Sequence, residues 1–458
     1  MVYNIIAIKK TSQCIFNRKI DNYQFLTQQQ RIHDKKGEMS MYVTRNSESM
    51  ILEVSKSFPC IVVYGPRQVG KSTTIDRIFG DAFRKVTLDD LDDRNLAVNN
   101  PKQFLETYGW PLIIDEIQKA PSLLDEIKKV IDGQRLAWIR SGEERKLMYI
   151  LTGSNRFELQ QGISDSLAGR CGVIDMASFS QSETYGAEGK LFSPDIALLL
   201  KREKELAGKY RTRQQIFRDI FQGGMPDIVT GVSQRDVYFK SYISTYIEKD
   251  VRKLISASSE LQFRNFLSMI ALRTAQELHY DSIANSVGID VRTCKKWISI
   301  LETSGLVCLL QPYMANISNR IIKAPKLYFM DTGLCAYLCK WPDAAMLEQC
   351  AMSGYFFETF VVSELIKNFY VHNKDPKENL FYYRDIDQKE IDLLYVQQNS
   401  IYPIEIKKSS SPKNPTKNYS ILKKYKLEIR QGLVIDTCDK MRPVNEEAWY
   451  YPVSILGM

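Results

Sequence analysis

One short stretch constrains the fold of this chain more than any other. An apolar run, CIVVYG, passes through the loop PRQVG into a helix-forming segment that begins at Ser72, and Gly65 and Gly70 stand at the two ends of the loop. Glycine permits the sharp backbone turns that so short a connection needs. Near-continuous apolar strands that alternate with helices are typical of a parallel sheet covered on both faces. The sequence therefore predicts an α/β fold with this strand inside the sheet.

The alternation of strands and helices continues to about residue 183. Beyond it the chain is mainly helical over 184–260, has helices and then short strands over 261–345, and returns to a mixed α/β pattern over 346–458. The elements predicted for the first part are helices over 47–57, 72–79 and 122–132 and strands over 60–65, 83–88, 111–116 and 146–154.

Composition is typical of a soluble globular protein, with 44% hydrophobic and 25% charged residues. No run of about 18 apolar residues exists, so neither a transmembrane helix nor a membrane partner is expected. The first residues are a poor secretory signal, because charges interrupt the apolar stretch. The nine cysteines lack paired CxxC motifs. Free thiols in a reducing compartment are therefore predicted, together with a cytoplasmic location.

The net charge of +8 is unevenly distributed. Residues 1–45 carry eight basic and three acidic side chains, and the remainder of the chain is almost balanced. A second basic stretch, from Lys407 to Lys426, holds seven lysines and no acid. It is either a nucleic-acid contact or a solvated loop, and the sequence leaves both interpretations open.

The loop after the first strand fits the pattern G-x-x-x-x-G-K-[ST], which holds nucleotide phosphates. Backbone N–H groups of such a loop converge on phosphate oxygens, and the helix that follows presents its positive end to the same anion. The lysine reaches the β- and γ-phosphates, and the serine hydroxyl is a ligand for Mg²⁺. ATP and Mg²⁺ are therefore the expected cofactors. The predicted binding residues are Gly65, Pro66, Arg67, Gln68, Val69, Gly70, Lys71, Ser72 and Thr73.

Two acids end the buried strand PLIIDE. Asp115 is predicted to hold Mg²⁺ with Ser72, and Glu116 to act as the general base that activates water, with Lys71 stabilising the phosphates. For Glu116 the alternative is a helix cap or a surface acid. The strand YILTGSN places Thr152, Ser154 or Asn155 near the γ-phosphate, where a polar group senses its presence, and ordinary turn chemistry is the alternative.

Arg170, in SLAGRCG, precedes another strand. It is a candidate for contact with a phosphate or with the nucleotide of a neighbouring subunit, in the manner of an arginine finger. A surface salt bridge is the alternative for this side chain. If Arg170 acts on the nucleotide of a neighbouring subunit, the protein forms a homo-oligomer. A different protein partner is the other interpretation.

Taken in order, the blocks SFPCIVVYGPRQVGKSTTI, LIIDEIQKAPSLL, LTGSN and SLAGR resemble an AAA-superfamily ATPase family of bacteria and archaea. The downstream blocks GGMPDIV, YIEKDVRKL, LYFMDTGLCAYL and FFETFVVSEL are similar to that family as well, so the resemblance covers about residues 41–458. It implies a sheet of the additional-strand class, with Glu116 as the catalytic acid, and an uncharacterised C-terminal region. The stretch TGSN departs from the family, because many AAA proteins have a lone sensor asparagine there.

The middle of the chain has the pattern of a winged helix–turn–helix. Gly288 permits a turn, Asp290 can cap the second helix, and the strand LVCLLQPY would be a wing. Arg292, Lys295 and Lys296 on the second helix are candidates for contact with DNA phosphates. Packing against another domain or protein is the alternative.

The C-terminal region contains a D…E-x-K arrangement. Glu405 and Lys407 share a strand face because they are two positions apart, a hairpin would bring Asp392 beside them, and Glu358 lies on a preceding helix. Two carboxylates and a lysine can hold Mg²⁺ and orient water for phosphodiester attack. The arrangement resembles the restriction-endonuclease-like superfamily, which implies a nuclease site at Glu358, Asp392, Glu405 and Lys407. A strand-edge salt bridge without activity is the alternative.

These observations predict five divisions of a chain too long for one hydrophobic core. They also predict a Mg²⁺-dependent P-loop ATPase whose nucleotide state controls effector domains directed to DNA or RNA. A nucleotide-gated DNA-binding switch with negligible turnover and an ATP-regulated nuclease are the alternatives. Met39 and Met41 precede a helical pattern, so a start inside the chain is a further alternative for the extension. The divisions are a disordered polar extension over 1–45, an AAA-like P-loop ATPase domain over 46–190, a helical lid or linker over 191–260, a winged helix–turn–helix-like domain over 261–345 and a restriction-endonuclease-like α/β domain over 346–458.

Overall fold

A computed structural model describes residues 42–154, 166–246, 259–314, 324–410 and 412–458. Two compact units divide the chain, residues 1–176 and residues 177–458, and each is described by itself. Most of the predicted extension and the candidate sensor Asn155 lie outside the described residues. No helix in these ranges has the length and the apolar character that crossing a membrane requires.

The first unit is built on a parallel sheet, which has five strands among the described residues. The order across the sheet is β2-β3-β4-β1-β5, so β4 is inserted between β1 and β3. Every residue of β1 is buried, as the apolar run CIVVY predicts for an inner strand. The five strands are β1 (Cys60–Tyr64), β2 (Arg84–Thr87), β3 (Leu112–Asp115), β4 (Tyr149–Gly153) and β5 (Cys171–Asp175).

Helices connect these strands. The predicted helices around residues 47–57 and 72–79 are confirmed, but the one predicted over 122–132 is longer and runs on to Ser141, because buried Trp138 anchors its second half. Two further helices escaped prediction, and the side chain of Asp90 caps the first of them. The helices described in this unit are α1 (Glu48–Ser57), α2 (Lys71–Phe79), α3 (Leu91–Asn99), α4 (Pro101–Tyr108) and α5 (Leu123–Ser141).

The second unit begins with helices, as the sequence predicts for this part. They pack around buried aromatic side chains such as Phe217, Phe239 and Phe266. The helices that the structure describes here are α6 (Gln181–Thr184), α7 (Ile196–Glu205), α8 (Arg213–Gln222), α9 (Pro226–Val229), α10 (Arg235–Tyr246) and α11 (Glu260–Ala271).

A helix pair and a small sheet follow. Gly288 has a φ of 76° between the two helices, the Asp290 side chain accepts from Thr293 N at 2.9 Å, and Gly305 follows the second helix with a φ of 73°. The predicted turn at Gly288 and the predicted cap by Asp290 are confirmed. The three strands described here pair in the order β6-β8-β7. The elements are β6 (Gln276–Glu277), α12 (Tyr280–Val287), α13 (Val291–Thr303), β7 (Val307–Leu310) and β8 (Lys326–Phe329).

The last part of the unit is a mixed sheet, in which seven strands are described. Its order is β14-β15-β13-β11-β10-β9, and β12 pairs with β11. The predicted hairpin is confirmed, since β10 and β11 are antiparallel with Leu393 opposite Ile404. The elements are α14 (Thr332–Leu338), α15 (Ala344–Gln349), α16 (Ser353–Val371), β9 (Leu380–Arg384), β10 (Glu390–Gln397), β11 (Ser400–Ile406), β12 (Glu428–Ile429), β13 (Gly432–Asp436), β14 (Arg442–Asn445) and β15 (Ala448–Pro452).

Candidate functional site

The phosphate-binding loop joins β1 to α2 and curls around its own lysine. The Nζ of Lys71 donates to the carbonyl oxygens of Gly65 at 2.9 Å and Pro66 at 2.8 Å. Gly65 must be glycine, because a Cβ there would meet the Met176 carbonyl oxygen at 2.1 Å. Gly70 has a φ of 92° directly before the helix, a conformation that glycine adopts without steric cost. The loop is therefore closed on the ammonium group, and Lys71 is 7% exposed.

Arg45 supports the loop from outside. The sequence assigned this residue to the polar extension, yet it is buried, and its Nη1 donates to the Val69 carbonyl oxygen at 2.7 Å. The backbone N–H of Arg45 donates to Glu48 Oε1 at 2.8 Å, which ties the segment to α1. An isolated arginine before a helix carries no sequence signal for this role, since the contact spans 24 positions. The boundary of the extension at residue 45 is therefore corrected, because residues 42–45 belong to the structured unit.

Ser72, in the first turn of α2, faces Asp115, at the carboxyl end of β3. The Ser72 hydroxyl donates to Oδ1 of Asp115 at 3.0 Å and lies 3.1 Å from Oδ2. Thr152, on β4, which lies between β1 and β3, donates its hydroxyl to Oδ1 of the same carboxylate. Hydroxyl and carboxylate oxygens are the donors that Mg²⁺ prefers. The donor set thus fits the predicted ion, and Ser72 and Asp115 are the residues that would hold it.

Glu116 follows Asp115 in a left-handed backbone conformation, with a φ of 58°. Such a conformation favours glycine or asparagine, so a glutamate held there suggests that its side chain is used. Gln118 donates to Glu116 Oε2, and the Ser154 hydroxyl donates to the same oxygen at 3.3 Å. Gln118 Nε2 also lies 3.3 Å from Ser154 Oγ. The structure therefore joins Glu116 to the predicted sensor Ser154 and adds Gln118, which sequence reasoning missed.

Arg170 is held by an acid of α5. Its Nε donates to Asp132 Oδ1 at 2.7 Å and its Nη2 to Oδ2 at 2.9 Å. The hydrogen bond from this guanidinium is the main cause that lowers the pKa of Asp132. The structure thus contains the salt bridge that the sequence offered as the alternative, and contact with a phosphate stays a prediction.

Three of the four residues of the predicted nuclease site meet at the hairpin of β10 and β11. Lys407 Nζ lies 2.8 Å from Asp392 Oδ2 and 2.7 Å from Glu405 Oε2. The backbone N–H of Ile406 also donates to Asp392 Oδ2 at 2.8 Å. The shared strand face therefore brings these side chains together as the period of two requires.

Glu358, on α16, adjoins the same cluster through a lysine that the sequence did not indicate. Lys326 Nζ lies 2.9 Å from Glu358 Oε1 and 2.5 Å from Glu390 Oε1, and only 3% of the Lys326 side chain is exposed. The Tyr328 hydroxyl donates to Glu358 Oε1 at 2.7 Å. Lys326 and Tyr328 share a face of β8 because they are two positions apart. In the sequence, the stretch KLY within an apolar strand indicates only that Lys326 and Tyr328 share a strand face. It does not indicate that Glu358 is their partner.

The charges of this cluster are coupled. Burial raises the pKa of Glu358 to about 7 against the opposing charge of Lys326, and the Asp392 carboxylate adds to the rise. Burial also raises the pKa of Glu405 well above its usual range. Burial acts in the same direction on Asp392, but Lys407 and Lys326 outweigh it and lower that pKa. Asp392 thus carries its charge most readily, while Glu358 titrates near neutral pH.

The cluster does not fit a metal ion in this arrangement. Within the described ranges, no group of three or more His, Cys, Asp or Glu side chains is placed to hold one. The ammonium of Lys407 lies between the carboxylates of Asp392 and Glu405, where a cation would bind. The two lysines therefore supply the positive charge that a metal would otherwise provide.

The helix pair α12–α13 has a buried side and an exposed basic side. Trp297, on the buried side, packs between Phe263 and Phe266 with ring centroids 5.1 and 5.2 Å apart. The basic residues of the second helix, Arg292, Lys295 and Lys296, are exposed. Neither a winged-helix identity nor contact with DNA follows from this placement, and both stay predictions.

The first unit has the geometry of an AAA-like P-loop domain, with an inserted strand, a closed phosphate loop, and a serine facing an acid. Residues 57–185 match the family model described as an AAA domain. Two models described as domains of unknown function, DUF8612 and DUF4143, match residues 213–345 and 353–456. The comparison thus assigns the AAA-like class to the first part of the chain.

Two curated mycobacterial relatives are similar to most of the chain. Uncharacterized protein Rv2008c of Mycobacterium tuberculosis is 26% identical over 363 residues, which cover 77% of this chain and 71% of the relative. Uncharacterized protein Mb2031c of Mycobacterium bovis has the same identity and coverage.

Among solved structures, the Walker-type ATPase paby2304 of Pyrococcus abyssi is similar at a TM-score of 0.37 and 14% identity, covering 67% of this chain and 99% of that one. A RuvB mutant of Thermotoga maritima is similar at a TM-score of 0.28 and 14% identity, covering 57% of this chain and 87% of that one.

Proposed function

We propose that this protein is a Mg²⁺-dependent ATPase that binds ATP at residues 65–73. One observation carries the proposal: the Ser72 hydroxyl, at the start of α2, donates to the carboxylate of Asp115 at the end of β3. A closed phosphate loop with this oxygen pair beside it is the arrangement that phosphoryl transfer needs. Mg²⁺, when bound there, would neutralise charge that develops on the phosphates.

Different residues of the chain bind the phosphates and activate the attacking water. Backbone N–H groups of the loop and the ammonium of Lys71 bind the phosphates, and the positive end of α2 adds to their field. Glu116 accepts a proton from the attacking water as general base. Ser154 and Gln118 orient the Glu116 carboxylate through the hydrogen bonds at Oε2. Lys71 must exchange its carbonyl partners for phosphate oxygens when ATP binds.

The test is steady-state release of phosphate from ATP by the full chain, with and without Mg²⁺, and with and without DNA or RNA. Mg²⁺-dependent hydrolysis that Glu116→Gln abolishes supports the proposal. Tight ATP binding without turnover would instead favour a nucleotide-gated switch. A parallel assay with GTP measures whether the protein prefers an adenine or a guanine nucleotide.

A second candidate function, cleavage of nucleic acid by the C-terminal sheet, is favoured by the convergence of Asp392, Glu405 and Lys407 near Glu358. The lysine-rich stretch 407–426 would attract the polyanion. Lys407 pairs with both carboxylates, so Asp392 and Glu405 are not placed to hold a metal ion in this arrangement. Incubation of DNA or RNA with the full chain, with and without Mg²⁺, is the test. Loss of cleavage in Asp392→Ala with ATP hydrolysis intact supports it, and no cleavage by the wild type rejects it.

The remaining partners are part of the same proposal. The exposed basic residues of α13 are the candidates for DNA contact, and salt-sensitive binding would be their signature. A homo-oligomer or a protein partner would give Arg170 a neighbour, provided that its ion pair with Asp132 opens. Molar mass measured with and without ATP distinguishes these states.

A further inference from the structure

A cavity of about 490 Å³ lies within the second unit, apart from the phosphate loop and from the carboxylate cluster. Its walls come from α10, α11, the last turn of α14 and the segment that follows it. Ligand pockets are commonly about 300–1,000 Å³, so this volume suits a ligand of the size of a nucleotide. The wall residues that matter here are Arg235, Lys240, Arg264, Lys340, Tyr337 and Trp341.

The cavity is strongly cationic. Four of its side chains are basic, and Asp236 is the acid that lines it among the described residues. Asp236 is already paired, because Arg235 Nη1 donates to its Oδ1 at 2.6 Å. Arg264 shares its charge with Glu260 at 3.0 Å, whereas Lys240 and Lys340 are exposed and make no ion pair with any described residue. The surplus of positive charge therefore faces the cavity.

Arg235 is fixed in position rather than freely rotating. Its Nε donates to the Phe221 carbonyl oxygen at 2.7 Å and its Nη2 to the Gly333 carbonyl oxygen at 3.2 Å. Its guanidinium lies 3.7 Å from the centroid of the Phe221 ring. A guanidinium has five N–H donors, so two remain for an anion after the bonds to Phe221, Gly333 and Asp236 are made.

Lys340 occupies a position that glycine would fill more easily. It has a φ of 60°, and its N–H donates to the Tyr337 carbonyl oxygen at 3.0 Å where α14 ends. Glycine is the usual residue in this left-handed position after a helix. Lysine there costs backbone energy, which is consistent with a use for its ammonium group.

We propose that this cavity binds a nucleoside phosphate, either free or as one unit of an oligonucleotide. Lys240, Lys340 and the remaining donors of Arg235 would hold the phosphate by charge-assisted hydrogen bonds. Tyr337 and Trp341 provide aromatic surface for the base, since stacking on aromatic side chains accepts any base. The site is independent of the proposed ATPase function.

The experiment uses the full chain carrying Lys71→Ala, which removes the phosphate loop as a competing nucleotide site. Binding of AMP and of a ten-nucleotide oligo(dT) is measured by calorimetry and by fluorescence anisotropy. We expect saturable binding of one or both, weakened tenfold or more by Lys240→Glu and by Lys340→Gly. Lys374→Ala, which removes an exposed lysine outside the cavity, serves as the matched control and should bind as the parent does.

Lys340→Gly separates binding from folding, because it relieves the left-handed backbone and should preserve or raise the melting temperature while it weakens binding. Binding of AMP alone identifies a free nucleotide as the source, and binding of the oligonucleotide alone identifies a nucleic acid. Absence of saturable binding of either probe, or equal affinity in Lys340→Gly, overturns the proposal. ATP hydrolysis by the protein without Lys71→Ala is measured separately, so failure of either site is recognised by itself.

Discussion

The hydroxyl of Ser72 lies 3.0 Å from Oδ1 of Asp115, although 43 positions separate the two residues in the chain. The first stands at the start of α2 and the second at the end of β3. Because β4 lies between β1 and β3, Thr152 also reaches the same carboxylate. The start of α2 and the end of β3 thus meet, and together they create the oxygen pair on which the proposed chemistry depends.

Lys71→Ala should abolish tight ATP binding and turnover. The variant loses a charge-assisted contact to the phosphates, with an expected cost of about 2–4 kcal/mol in binding and transition-state stabilisation. Calorimetry with ATP and a phosphate-release assay measure the two effects. Lys56→Ala, an exposed lysine on α1, is the matched control. Normal hydrolysis by Lys71→Ala would contradict the assignment of the site.

Glu116→Gln should separate binding from turnover. The amide keeps the shape of the side chain and removes the base, so ATP binding is retained while hydrolysis falls by roughly 10²-fold or more. Asp115→Asn should instead raise the Mg²⁺ concentration needed for half-maximal rate. Hydrolysis at the normal rate in Glu116→Gln would mean that another residue is the base.

Ser154→Ala tests the positioning of Glu116. Losing one hydrogen bond of about 0.5–1.5 kcal/mol should lower kcat by roughly 2–13-fold with little change in KM. A plain structural role would lower the melting temperature instead. Melting curves recorded alongside the kinetics distinguish the outcomes, and an unchanged kcat would remove Ser154 from the site.

The pH dependence of the free energy of unfolding should reflect the titration of the Glu358 carboxyl group. Its pKa is about 7 in the folded protein against a usual value of 4.5, so its contribution to stability is complete below pH 4.5 and is lost as the pH rises through 7. Glu358→Gln removes this titration. Relative to wild type, the variant should gain about 3 kcal/mol in free energy of unfolding between pH 4 and pH 8, at about 1.36 kcal/mol per pKa unit. Urea unfolding at both pH values is the measurement, and Glu378→Gln, at an exposed site, should show no such gain.

Lys326→Met should destabilise the second unit by about 3–5 kcal/mol at pH 8, because it leaves the buried carboxylate of Glu358 without its ammonium partner. The loss should be smaller at pH 6, where Glu358 is largely protonated. Lys377→Met breaks a surface pair with Glu302 and should cost less than about 1 kcal/mol. Equal losses in the two variants would show that Lys326 is not a buried counter-ion.

Local sequence patterns were sufficient to predict those features whose residues are close together in the chain. The strand, the two glycines and the lysine of the loop follow each other directly, so the sequence predicted the loop from strand to helix. The hairpin of Asp392 and Glu405 was equally predictable, because side-chain alternation assigns each residue of a strand to a face. The cap by Asp290 follows the same logic of short-range hydrogen bonds.

The contacts that complete both sites join elements far apart in the chain. Arg45 reaches Val69, Gln118 reaches Ser154, and Lys326 reaches Glu358 across 32 positions. Hydrophobic periodicity does not predict such pairs. It indicates which face of a helix or strand is buried, but not which other element covers that face.

By itself, the sequence determined the phosphate loop, the alternation of the first sheet and the hairpin carboxylates, since these depend on neighbouring residues and on periods of two and 3.6. Tertiary structure alone decided that the Arg170 guanidinium binds Asp132 and that Lys407 lies between two acids. The physical reason is that a charge is neutralised by whatever packing brings within a few ångströms, and that distance is a property of the assembled fold.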